Sequence, residues 1–175
     1  MIWVWLCLCT FCAAVLEAIL GNSGVPAPLV AIVTFYFTVL LGWKPVFIPA
    51  VVAGTLLDLL LSRAFPTALM LLPGVMALAL FWRQHGDCKA VSAQALPGAL
   101  VGAIVGVGRL VLEAWAAEPW CRGLVFRSLW LLFLFVLVSL ALTPALFKGL
   151  DRLAKGLDLP LYQKVQEVPE PIEED

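Results

Sequence analysis

Glu17, Asp58, Arg109 and Glu113 are ionisable residues set inside otherwise apolar runs. On insertion scales, one such side chain at the middle of a bilayer costs about 2.5 to 3.5 kcal/mol, so each is expected to face a bundle interior or an aqueous cavity. Two chemistries suit this set. The carboxylates and the guanidinium can pair as a structural clasp, or they can line a polar pocket that takes a small molecule. Catalysis finds no footing. The chain has no HExxH, no phosphate-binding Walker loop, no GxSxG and no cysteine pair at zinc spacing, so no catalytic residue, metal site or cofactor is expected. The five cysteines include Cys7, Cys9 and Cys12 within one apolar run, where they act as small hydrophobes. The single histidine, His85, is read as a solvated loop residue beside Asp87 and Cys88.

The runs that must hold these charges are membrane spans. Of the 175 residues, 63% are hydrophobic and 13% charged, and mean hydropathy is +1.02, outside the range of soluble domains. A hydrocarbon core of roughly 30 Å takes about 20 apolar residues per helix, which leaves room for six spans and a tail. They are expected at Ile2 to Leu20, Pro28 to Trp43, Val46 to Leu61, Phe65 to Trp82, Ala95 to Ala116 and Leu124 to Phe147. The fold class is therefore an all-α integral membrane protein, a six-helix bundle over residues 1–147. An amphipathic interfacial segment follows at 148–157, and then an acidic, disordered tail at 158–175 with six acidic residues against Lys164. The first run lacks a basic start and a cleavage site, and is read as a retained helix rather than a signal peptide. No surface has the basic density that nucleic acid would require.

Seven basic residues (Lys44, Arg83, Lys89, Lys148, Arg152, Lys155, Lys164) fall on the side that holds both termini, against Arg63, Arg122 and Arg127 on the other. The positive-inside rule then places both termini in the cytoplasm. Trp3, Trp5, Trp43, Trp82, Trp115 and Trp120 lie near span ends, as interfacial tryptophans do. With this orientation the first, third and fifth spans run outward, and all four intramembrane charges converge on one leaflet. Arg109 would sit roughly 10 Å below the outer end of its span, and the carboxylates within about 5 Å of theirs. Small residues recur on the same faces at four-residue spacing: Cys9 and Ala13 before Glu17, Ala50 and Gly54 before Asp58, Gly98, Gly102 and Gly106 before Arg109. Such stripes let helix backbones approach closely. Spans one, three and five are expected to touch, with Arg109 bridging Glu113 and either Asp58 or Glu17. Pro73-Gly74 and Thr143-Pro144 should kink the fourth and sixth spans.

From Pro28 through the third span the chain resembles the MreD family of rod-shape-determining membrane proteins. There an apolar helix opening after a proline is followed by a short turn and a helix of the form Gly-x-x-x-Asp-Leu-Leu-Ser. Gly54, Asp58, Leu59, Leu60 and Ser62 stand in those places, with one extra leucine before the serine. The ending from Leu140 to Leu153, a proline late in the last span followed by a basic amphipathic stretch, is also similar. After Asp58 the family's glycine-bearing turn is replaced by Arg63, Ala64, Phe65 and Pro66. The resemblance implies a non-enzymatic subunit of the cell-elongation machinery in the bacterial inner membrane. Such a subunit holds an MreC-like bitopic partner and, through it, couples an MreB-like filament to peptidoglycan synthases. It also implies a fold similar to the substrate-binding subunits of energy-coupling-factor transporters, so a vitamin-type binding subunit is the other reading. Gly54 and Asp58 are the residues carried over, as packing or partner-contact positions.

Overall fold

The computed structural model describes residues 2–62, 66–86, 91–116, 122–156 and 162. Six helices follow one another: α1 (Ile2–Asn22), α2 (Leu29–Leu41), α3 (Trp43–Leu60), α4 (Thr67–His85), α5 (Val91–Ala116) and α6 (Arg122–Gly156). Among the described residues there is no strand. Five of the six, all but α2, are long and apolar enough to cross a membrane. The protein is thus an all-α, multi-pass membrane protein.

The exception, α2, has 13 residues, about 20 Å of helix against a hydrocarbon core of roughly 30 Å. Every residue from Leu29 to Val39 is buried. A helix apolar on all sides belongs in a core, and α2 contacts each of the other five helices. The second span expected at Pro28 to Trp43 is therefore an enclosed central helix: protein, not lipid, covers it, so its length is not set by the bilayer. Gly42 alone separates it from α3. Its φ of 84° lies in the left-handed region, and its N–H donates to the Thr38 carbonyl at 2.9 Å, so a reversal within one residue needs glycine there.

The other departure is α6, which runs 35 residues as one helix through Pro144 to Gly156. The stretch expected to lie apart on headgroups is its last part. Phe147, Leu150 and Ala154 are buried, while Lys148, Arg152 and Lys155 are exposed. What holds this end is an aromatic knot. Tyr36 of α2 stacks on Tyr162 with centroids 5.5 Å apart, and Phe147 meets the two rings at 5.3 and 4.7 Å. Asp151 Oδ1 accepts the Tyr36 hydroxyl at 2.6 Å and the Tyr162 N–H at 3.1 Å. Tyr162 falls in the stretch read as a disordered tail, yet it is fully buried; residues 163–175 lie outside the described ones. Tyr36→Phe is expected to lower stability by about 1 kcal/mol in thermal unfolding of the purified protein, since Asp151 keeps the Tyr162 N–H.

Among the tryptophans, Trp3 and Trp43 are exposed near helix ends, Trp5 is half-buried, and Trp82 is buried rather than interfacial because it packs over Gly86. Trp120 and the side chain of Trp115 lie outside the described residues. His85 closes α4 rather than lying in a loop; it is exposed and stacks on Phe81 at 4.7 Å.

Candidate functional site

Both described buried carboxylates meet the start of the helix that follows their own. Glu17, near the end of α1, accepts the N–H of Val30 at 2.8 Å, in the first turn of α2. Asp58, near the end of α3, accepts the N–H of Ala68 on both oxygens at 3.1 Å, the N–H of Leu69 at 3.4 Å and the Thr67 hydroxyl at 3.2 Å. The first turn of a helix has donors without intrahelical acceptors, and water is scarce at this depth. The residue before each helix ordinarily supplies the acceptor. Here that residue is proline, Pro28 before α2 and Pro66 before α4, and neither makes a side-chain cap. A carboxylate from the preceding helix takes over, and the positive end of the helix dipole stabilises its charge.

Gly54 belongs to the same joint. A methyl group there would meet Leu72 Cδ1 at 2.8 Å and the backbone nitrogen of Leu69 at 3.5 Å. The absent side chain lets α4 lie against α3, one turn before Asp58 binds its first residues. The two positions of the Gly-x-x-x-Asp pattern thus act on one turn of α4, residues 67–72.

The glycine stripe of α5 faces α6. A methyl at Gly98 would strike the Thr143 side chain and lie 2.7 Å from the Ser139 carbonyl; at Gly102 it would lie 2.7 Å from the Phe135 carbonyl and from Ser139 Oγ. Gly106 is looser, with Leu132 Cγ at 3.4 Å. This corrects the expectation that spans one, three and five contact one another. Helices α1 and α3 do pack together, whereas α5 packs along α6 and α4.

Arg109 and Glu17 do come together in one place. They share a cavity of about 300 Å³, closed by the α1–α2 turn (Val25, Pro26), the end of α3 (Leu61) and one face of α6 (Leu131, Leu132, Phe135). The guanidinium carbon lies 4.8 Å from the centre of the Phe135 ring, a cation–π contact that spacing along the chain did not reveal. Asp58 is not in this lining; its carboxylate is turned to α4, so the expected clasp holds Glu17 and Arg109 without it. Glu113 lies on α5, but its side chain is outside the described ones. Among the described residues no group of three or more His, Cys, Asp or Glu side chains is placed to hold a metal.

What these elements define is a bundle whose buried carboxylates join consecutive helices, with one charged cavity at the end where α1, α3 and α5 finish. No protein-family model, no curated protein and no solved structure matches the chain.

Proposed function

We propose that the chain is a non-enzymatic scaffold subunit of the bacterial cell-elongation complex, similar to MreD proteins. In this reading it binds an MreC-like bitopic protein and so helps couple an MreB-like filament to peptidoglycan synthesis. It lies in the inner membrane, with six helices at membrane depth and both termini in the cytoplasm. The observation that carries the reading is the α3–α4 joint. The two residues brought over by the resemblance, Gly54 and Asp58, are chemically coupled in this chain, one admitting and the other binding the same turn of α4. A pattern kept for that purpose specifies a helix arrangement, and an interaction subunit requires a fixed arrangement more than it requires reactive groups.

The experiment is mild detergent extraction of a tail-tagged chain at native expression, followed by mass spectrometry of the co-purifying proteins. An MreC-like protein with peptidoglycan synthases is the expected result. A pair of ATPases would overturn it in favour of the second reading, a vitamin-type binding subunit of a transporter, which the cavity containing Glu17 and Arg109 favours. Orientation has its own check. A cytoplasm-active reporter fused at either terminus should be active, and one inserted after Gly24 inactive; the opposite pattern would invert the bundle.

A further inference from the structure

We propose that the cavity between the α1–α2 turn and α6 binds the headgroup of an anionic phospholipid, with its phosphate toward Arg109 and its acyl chains outside along α6. This goes beyond the scaffold reading and does not depend on it.

Three features lead there. The first is charge. Glu17 and Arg109 are the ionised groups of the lining, but Glu17 is already bonded to the N–H of Val30 at the start of α2. The positive end of that helix, worth about half an elementary charge, offsets much of the carboxylate, and the guanidinium leaves the cavity with a positive balance. A guanidinium presents its donors as a planar fork that matches a phosphate.

The second is size. At about 300 Å³ the cavity is at the lower limit of small-molecule pockets, enough for a phosphate with its glycerol and too small for a whole lipid. The third is what lies alongside. Leu131, Leu132 and Phe135 form one wall, and their neighbours Leu129, Trp130, Phe133 and Leu137 are all about half exposed on the flank of α6. A headgroup in the cavity would therefore continue into chains lying on an apolar, lipid-facing helix. A soluble anion gains nothing from that surface, so the geometry favours the lipid.

The test uses the full chain, purified in mild detergent, exchanged with mixed micelles of phosphatidylglycerol and phosphatidylethanolamine, washed, and assayed for retained lipid by mass spectrometry. Phosphatidylglycerol should be retained at about one per chain in preference to phosphatidylethanolamine. Arg109→Gln should lower its retention roughly tenfold. Glu17→Gln keeps an oxygen for the Val30 N–H while removing a negative charge, and should raise it. If Arg109→Gln fails to fold, Val25→Trp decides the matter. Val25 is on the turn at the cavity wall and is 41% exposed, so the larger ring should fill the space, displace the lipid and leave thermal unfolding unchanged. Equal retention of the two lipids, or of phosphatidylglycerol by wild type and Val25→Trp, would overturn the proposal. So would glycerol 3-phosphate competing as well as the whole lipid, since the source would then be a soluble anion.

Discussion

Adding a single methyl group at Gly98 or Gly102 is expected to cost about 1 to 3 kcal/mol, while the same change at Gly106 should cost less than about 0.5 kcal/mol. Thermal unfolding in detergent measures all three, and near-infrared-free tryptophan fluorescence is a sufficient readout. The difference lies in what each new carbon would touch. At Gly102 one of the two atoms at 2.7 Å is the carbonyl oxygen of Phe135, and at Gly98 it is that of Ser139. A carbonyl moves only with its helix, so α6 must retreat along the seam. At Gly106 the nearest atom, Leu132 Cγ at 3.4 Å, belongs to a side chain that can turn aside. Equal losses at all three positions would mean that the substitutions act through helix propensity rather than through the seam, and propensity by itself favours alanine over glycine. Where retreat of α6 also shifts Phe135, the ring under Arg109 moves with it, and the charged cavity should loosen along with the packing.

The stripe itself was legible, because a four-residue spacing of glycines on a helix has one geometric meaning. Its partner was not. Periodicity states which face is flat but not which helix lies on it. The missing signal was on α6, where Phe135, Ser139 and Thr143 repeat the same spacing and present two small polar residues to the glycines. Thr143 had drawn attention as the flank of a proline kink, yet its hydroxyl is turned to the Ser139 carbonyl at 2.7 Å, within the helix. That leaves the outer face of this turn compact enough for Gly98. Sequential helices joined by a short connection are also the commonest neighbours, and that prior alone pointed to α6.

The charges divide in the same way. Their burial and convergence at one end followed from cost and spacing, and Glu17 with Arg109 does line one cavity. What the residues did not show is that Asp58 binds backbone. A main-chain N–H has no letter, so a carboxylate in a span looks for a basic residue when only the sequence is read. Proline supplied the missing clue. Pro28 and Pro66 each stand before a helix, where a side-chain acceptor is normally found, and a helix start without one requires an acceptor from elsewhere.

That logic makes the joint at Asp58 testable in two steps. Asp58→Ala removes the acceptor for two backbone N–H groups and one hydroxyl in a region poor in water, and is expected to cost about 2 to 3 kcal/mol in thermal unfolding. Asp58→Asn keeps one oxygen but loses the charge that faces the helix dipole, and should cost about half as much. The second step restores a local acceptor: Pro66→Asp in the Asp58→Ala background should recover part of the loss, because the carboxylate then stands immediately before α4. No recovery would mean that Asp58 matters chiefly through packing beside Gly54. The same pair separates fold from function. If Asp58 acts only by seating α4, the rescued double variant regains its MreC-like partner in step with its stability. If stability returns while the partner does not, Asp58 takes part in the contact itself, and the Gly-x-x-x-Asp pattern reports an interface as well as a joint.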